Sequence, residues 1–176
     1  MKAEPHVAFL RGVNLGKRTV KSVDLVAAFA GLGFAGARTL IASGNVRFTA
    51  RPAAKLAAQI EAGLEAHFGF AIAVVLRTQV ELRALVASAP FAGVALTEDA
   101  RPHGVLFAGG VPVGVPLVGV PGDYDVVRVD AREVFLVAWR QPQGGIGKQV
   151  TKLLDILNRR SVSTARAWTT LCKAAA

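Results

Sequence analysis

The stretch RTLIASGNVRFTA, residues 38–50, decides the fold of the first half of the chain. Two short β-rich runs, 38–42 and 46–50, flank Ser43-Gly44-Asn45. Glycine and asparagine tolerate the positive φ that a tight turn between two strands requires. The stretch therefore predicts an antiparallel β-hairpin.

Helical and strand patterns alternate on both sides of this hairpin. Apolar residues at three- to four-residue spacing predict helices, and short apolar runs predict buried strands. The predicted elements are a strand at 7–10, a helix at 22–32, a helix at 52–68 and a strand at 72–76. With the hairpin, the order is β-α-β-β-α-β, the split βαβ arrangement of the ferredoxin-like fold.

The second half is predicted to be a degenerate copy of the same arrangement. A strand at 104–108 precedes a segment, 109–122, with Val-Pro at 111, 115 and 120, which favours extended backbone over helix. The remaining predictions are a hairpin at 124–139, a helix at 147–158, and a last helix to about 174 that Ser163 or Thr164 caps. The expected fold class is α+β, with two ferredoxin-like subdomains at 1–78 and 103–176 and a connection at 79–102.

Composition and charge narrow the functional classes. The chain has 176 residues, of which 52% are hydrophobic, so a disordered chain is excluded. The formal net charge of +9 favours an anionic partner, which we expect to be nucleic acid or a phosphate-bearing small molecule. A single cysteine, Cys172, excludes an intramolecular disulfide. We expect a cytoplasmic protein without a membrane span, and an open sheet edge would also allow a homodimer.

Two segments of the first half are candidate ligand-binding sites. The segment RGVNLGKR, residues 11–18, follows a buried strand, and amide groups freed by its glycines beside three cations could hold an anion. The alternative is a solvated basic loop. The hairpin turn is either a turn alone or, because this fold places it beside the first loop, part of the same site. The candidate residues are Arg11, Gly12, Asn14, Gly16, Lys17, Ser43, Gly44 and Asn45.

Two segments of the second half are weaker candidates. GGIGKQ, residues 144–149, opens a helix, but the phosphate-loop pattern fails because Pro142 and Gln149 replace a glycine and a hydroxyl residue. Lys148 and the first helical N–H groups could still bind an anion; the alternative is an ordinary helix start. Further along, Thr164, Arg166 and Trp168 suit phosphate contacts with base stacking, or a capped helix that docks its tryptophan into the core.

No metal or catalytic site can be assembled from the sequence. The three histidines lack ligand spacing, there is one cysteine, and we expect neither a metal nor a cofactor. No general base is evident, so an enzyme is neither predicted nor excluded, and no catalytic residue is named. Three hypotheses stay open: a binding module for nucleic acid or a nucleotide-like anion, an enzyme acting on a small phosphorylated or carboxylated substrate, and a homo-oligomeric interaction protein.

Three blocks of the sequence resemble one protein family. VAFLRGVNLG (7–16) is similar to the LLRGINVGG start of the DUF1697 proteins, and LIASGNVRF (40–48) resembles their QSGNVVF hairpin. STARAWTT (163–170) is similar to their TTRNWRTV ending, with alanine at 165 and 167. The resemblance implies two ferredoxin-like subdomains and no established reaction. It also implies that a shared site includes Arg11, Asn14, Ser43, Gly44 and Asn45.

Overall fold

The computed structural model of the protein describes residues 2–13, 19–34, 36–41 and 44–176. The chain forms two compact units, of which the first is residues 1–84 with 173–176 and the second is residues 85–172. Residues 79–102, predicted to connect the subdomains, contain a helix and fall partly in each unit.

The first unit contains one antiparallel sheet and the helices that cross it. Its elements are β1 (Glu4–Arg11), α1 (Ser22–Gly31), β2 (Arg38–Thr39), β3 (Asn45–Ala50), α2 (Leu56–Phe68), β4 (Ala73–Thr78) and α3 (Gln79–Ala87). The sheet order is β2-β3-β1-β4, and every neighbouring pair is antiparallel. The predicted order of elements is confirmed. Of the described residues 38–41 of the first hairpin strand, Arg38 and Thr39 pair with β3, and Ala42 lies outside the described residues.

Alternation along β3 separates an apolar face from a polar one. Val46, Phe48 and Ala50 are buried in the core with α1 and α2, and the Phe48 ring lies 5.2 Å from that of Phe29. Because successive strand residues point to opposite sides of a sheet, Arg47 projects from the other face. The sequence of β3 thus places one arginine on the face opposite the helices.

The sheet of the second unit has the same spatial order of strands as that of the first. Its elements are β5 (Ala100–Phe107), β6 (Tyr124–Val129), β7 (Glu133–Trp139), α4 (Lys148–Arg160), β8 (Ser163–Ala167) and α5 (Trp168–Ala175), whose end belongs to the first unit. The sheet order is β6-β7-β5-β8. The Val-Pro segment stands between β5 and β6, as α1 stands between β1 and β2 in the first unit. It packs against the core of the second unit through Val111, Val115, Leu117 and Val120. Two ferredoxin-like subdomains of an α+β fold, the second lacking one helix, are confirmed.

The prediction of a helix beginning at Ser163 or Thr164 is wrong. Residues 163–167 form β8, which pairs antiparallel with β5 in the register Leu106↔Thr164 and Gly104↔Arg166. The segment satisfies its backbone groups on the edge of β5, and this pairing outweighs the helical preference of its alanines. The helix starts only at Trp168.

Candidate functional site

A cavity on the first unit collects three arginines. It has a volume of about 320 Å³ and is lined by Pro5, Gly36, Arg38, Arg47, Phe48, Thr49, Gln79, Arg83 and Ala176. We call it the arginine cavity. Strands β2 and β3 supply Arg38 and Arg47, and helix α3 supplies Gln79 and Arg83. No Asp, Glu, His or Cys is among these lining residues.

The three arginines of the cavity repel one another electrostatically. Arg38 and Arg47 are directly opposite in the β2–β3 pairing, an arrangement that is destabilising for like charges. Burial, followed by the charges of Arg38 and Arg83, lowers the pKa of Arg47 from its usual value. This repulsion between the arginines favours the binding of an anion in the cavity.

The end of helix α5 holds three of these side chains in place. Arg47 Nη2 donates to the Ala174 carbonyl oxygen at 2.9 Å, and Arg83 Nε donates to that of Ala175 at 3.3 Å. Gln79 Nε2 donates to both carbonyl oxygens. The last carbonyls of a helix have no partner within it, so part of the role of these residues is structural: they cap α5.

Capping α5 leaves much of the polar capacity of the cavity unused. Among the described residues, Arg38, Arg47 and Arg83 form no ion pair with any carboxylate, and the side chain of Arg38 makes no hydrogen bond. Arg47 Nε and Gln79 Oε1 are shielded from solvent and have no hydrogen-bond partner in the part of the chain that the structure describes. A buried polar atom without a partner costs roughly 1–3 kcal/mol. The arrangement can bind an anion with several guanidinium donors.

Replacing Arg38 with glutamine is expected to stabilise the ligand-free protein. Removing one of two like charges on opposed strand residues gains roughly 0.2–1 kcal/mol, which corresponds to about 1–4 °C in melting temperature at this chain length. The measurement is thermal unfolding at low and at high salt, where screening should shrink the difference. Exposed Arg51 lies outside the cavity, and Arg51→Gln is the control. An unchanged or lowered Arg38→Gln melting temperature at low salt would contradict the repulsion.

The first-loop and hairpin candidates are only partly described. Asn14, Gly16, Lys17 and Ser43 lie outside the described residues. Arg11 ends β1 opposite Ala73, and Gly12 and Gly44 have positive φ values of 74° and 105°. Leu10 N donates to the Gly44 carbonyl oxygen at 2.7 Å, so the end of β1 and the hairpin turn are adjacent. Asn45 is buried and donates its amide to the Leu40 carbonyl oxygen at 3.3 Å.

The helix start at Lys148 already has an anionic partner. The Asp123 carboxylate accepts from Gln149 N at 3.1 Å and from Val150 N at 2.8 Å. A Cβ added to Gly147 would overlap the same carboxylate, so the close approach requires glycine. The N–H groups that the sequence offered to an external anion at Lys148 are therefore occupied by a side chain of the protein.

The candidates near the end of the second unit are arranged for packing. Trp168 makes edge-to-face contacts with Phe91 and Phe135, at ring distances of 5.2 and 6.1 Å. Thr164 is buried on β8 and accepts from Arg166 Nη1, which also donates to the Ala165 carbonyl oxygen. Burial lowers the pKa of Arg166 to about 10, which leaves it charged at neutral pH. These contacts agree with the alternative in which Trp168 docks into the core.

Three phenylalanines on the strands of the two sheets are buried. Phe9, Phe48 and Phe135 are at most 1% exposed. Trp139 donates its indole N–H to Asp125 Oδ2 at 2.8 Å. Stacking of nucleic-acid bases needs an accessible ring face, which these phenylalanines do not present. These three phenylalanines therefore provide no stacking surface.

Sequence reasoning missed the four residues that define this cavity. Arg38 and Arg47 stand in the two arms of the predicted hairpin, and knowledge of its register would have put them opposite each other. The turn predicted at Ser43-Gly44-Asn45 implies a register different from the observed one, in which Thr39 pairs with Val46. Gln79 and Arg83 are one turn apart on α3, but no local pattern relates that helix to the hairpin.

Metal and membrane signals are absent from the described part of the chain. No group of three or more His, Cys, Asp or Glu side chains there could hold a metal ion. None of the described helices is both long and apolar enough to span a bilayer. Burial raises the pKa of the Cys172 thiol, which favours its protonated form.

Comparison with known proteins adds a family and a fold. The model of DUF1697, a protein family of unknown function, matches residues 3–135. A solved structure of a conserved bacterial protein from Streptococcus pneumoniae is similar, with a TM-score of 0.70 and 19% identity. The similarity covers 99% of this chain and 97% of that one, and at this identity it shows the fold alone. No curated protein sequence matches the chain.

Proposed function

The chain belongs to the DUF1697 family, and we propose that it is a binding module for a small phosphate-bearing anion, held in the arginine cavity. The observation that carries the proposal is the set of three arginines, two of them opposed across a strand pair, with no ion-pair partner among the described residues. Guanidinium groups bind phosphate with paired, charge-assisted hydrogen bonds.

The size of the cavity favours a small ligand over a polymer. A volume of about 320 Å³ is at the lower end of the roughly 300–1,000 Å³ that small-molecule sites span. That is room for a phosphorylated sugar or a compact nucleotide-like anion. Extended nucleic acid would also need a stacking surface or a long basic groove, and Phe9, Phe48 and Phe135 are buried.

The lining favours binding over catalysis. General acid–base chemistry needs a side chain that titrates in a useful range, most often His, Asp or Glu. None of these residue types lines the arginine cavity. A reaction there would have to draw its acid and base from the ligand or from water, so the groups present support recognition.

The proposal is tested by calorimetric titration of the intact protein with inorganic phosphate, ribose 5-phosphate and a short single-stranded RNA. We expect saturable binding of the small phosphates, with weaker salt dependence than that of RNA, because a partly enclosed pair of charges is screened less than exposed phosphates. Ribose 5-phosphate at 100 times its Kd should add about 2.7 kcal/mol to stability.

Variants at two positions locate the binding site. Arg47→Gln should remove small-phosphate binding, whereas Arg11→Gln, at the end of β1, should leave it nearly unchanged. If Arg11→Gln removes binding and Arg47→Gln does not, the ligand site is the first loop. If no small phosphate binds the native protein, the proposed function is wrong.

A further inference from the structure

We propose that the arginine cavity selects phosphomonoesters that carry a hydroxyl group near the phosphate, and that Gln79 recognises this hydroxyl. Sugar phosphates and the ribose phosphate of mononucleotides share this chemistry. The inference rests on the proposed function, since it names the class of anion and the residue that distinguishes it from a phosphomonoester without a hydroxyl group.

Gln79 supplies an acceptor in a site that consists mainly of donors. Arginine side chains carry five N–H donors and no acceptor. Among the residues that line the cavity, the side chains with an acceptor oxygen are Thr49 and Gln79, and of these two only Gln79 is buried, at 5% exposure. The dianionic phosphate of an ester uses the arginine donors but has no O–H group of its own for a carbonyl oxygen. A ligand with an O–H group uses both.

The orientation of the Gln79 amide is determined by its contacts. Nε2 donates to the carbonyl oxygens of Ala174, at 3.2 Å, and Ala175. Exchanging the amide oxygen and nitrogen would place an acceptor against two acceptors, so the assignment follows from geometry. Among the described residues Oε1 has no hydrogen-bond donor, and Gln79 lines the cavity. A ligand hydroxyl at this wall of the cavity would supply the missing donor.

The charge of the site favours a phosphomonoester over a carboxylate. Three guanidinium groups meet in the cavity without an ion-pair partner among the described residues. A phosphomonoester carries nearly two negative charges at neutral pH and three acceptor oxygens, whereas a carboxylate carries one charge and two oxygens. The phosphate therefore neutralises more of the repulsion between Arg38 and Arg47.

The test compares two esters that differ only in their hydroxyl groups. Glycerol 3-phosphate and n-propyl phosphate share a three-carbon chain and a phosphate. We expect the native protein to bind glycerol 3-phosphate about five- to tenfold more tightly in calorimetric titration, as one additional hydrogen bond implies. In Gln79→Met, which removes the acceptor, the two esters should bind equally. Thr49→Val is the matched control and should retain the native ratio.

The ratio of the two affinities separates this inference from the proposed function. If both esters bind the native protein equally, the anion site stands and the hydroxyl selectivity is overturned. If the preference persists in Gln79→Met, or disappears in Thr49→Val alone, Gln79 is not the residue that recognises the hydroxyl. If neither ester nor inorganic phosphate binds, the proposed function itself fails. Because the readout is a ratio, a general loss of affinity in Gln79→Met does not imitate the expected result.

The same titration distinguishes the two sources of this chemistry. Adenosine 5′-monophosphate and ribose 5-phosphate share the 5-phosphate and the 2- and 3-hydroxyl groups of ribose, and differ at the anomeric carbon. Tighter binding of the nucleotide would assign the site to mononucleotides, and equal or weaker binding would assign it to sugar phosphates. Both results support selection of a hydroxylated phosphomonoester.

Discussion

Replacing Arg47 with glutamine is expected to weaken small-phosphate binding at least about 100-fold. Arg47 is central among the cavity arginines, since it opposes Arg38 across the strand pair and is affected by the charge of Arg83. Two charge-assisted hydrogen bonds to a phosphate are worth roughly 1.5–3 kcal/mol each. The loss of both hydrogen bonds costs more binding free energy than the roughly 2.7 kcal/mol that corresponds to a 100-fold change in Kd.

The Arg47 experiment includes a charge-retaining variant and a matched control. Arg47→Lys keeps the positive charge but loses the planar fork of donors, and we expect an intermediate loss of about tenfold. Exposed Arg51, just after β3 and outside the cavity, provides the control Arg51→Gln, which should bind within about twofold of the native protein. Equal affinities of Arg47→Gln and Arg51→Gln, both folded, would show that Arg47 does not contact the ligand.

Folding of Arg47→Gln is checked separately, because Arg47 Nη2 also donates to the Ala174 carbonyl oxygen. Removing that hydrogen bond costs about 1 kcal/mol, and removing a half-buried cation that two others repel offsets part of it. We therefore expect a melting temperature within about 4 °C of the native value. A folded variant with lost binding supports a direct role.

Replacing Trp168 with alanine is expected to destabilise the protein by about 2–4 kcal/mol with little effect on phosphate binding. The ring contacts Phe91 and Phe135 edge to face and packs against the cluster around Ala100 and Val137. Complete burial of an aromatic ring would give roughly 3–5 kcal/mol on truncation, and the partial exposure of Trp168 lowers this range. Trp168→Phe should recover about half of the loss.

Urea denaturation and phosphate titration of the same Trp168 variants distinguish packing from ligand contact. For Trp168→Ala we expect a reduced urea midpoint of unfolding. We expect its phosphate affinity to stay within about threefold of native at temperatures where the variant is folded. The opposite pattern, unchanged stability and lost binding of phosphate or RNA, would place Trp168 in a ligand site, as the sequence had suggested as one alternative.

Much of the fold could be predicted because its signals are local. Four-residue spacing from Leu56 to Phe68 produces α2, and Gly69, with φ of 77°, ends it. Strand β8 could not be predicted, because its pairing partner β5 lies far away in sequence. The edge of that strand, rather than any local preference of residues 163–167, decides their conformation.

The candidate site was harder to predict because it depends on register and on tertiary contacts. A shift in the hairpin register changes the residue that faces Arg38, and the observed register selects Arg47. The carbonyl groups of Ala174 and Ala175 orient Arg47 and Gln79 across a separation of more than 90 residues. No glycine-rich or lysine-containing motif in the sequence predicts such a site. By contrast, Gly144–Gly147 looked like an anion site locally, but Asp123 occupies the N–H groups that follow it.

The central claim is that a phosphate binds among Arg38, Arg47 and Arg83. The most direct measurement is a crystal structure of the protein with saturating ribose 5-phosphate. We expect the phosphate in the arginine cavity, with oxygen atoms within hydrogen-bond distance of Arg47 and at least one of the other two arginines. A cavity that stays empty while the ligand binds elsewhere, or binds nowhere, would contradict it.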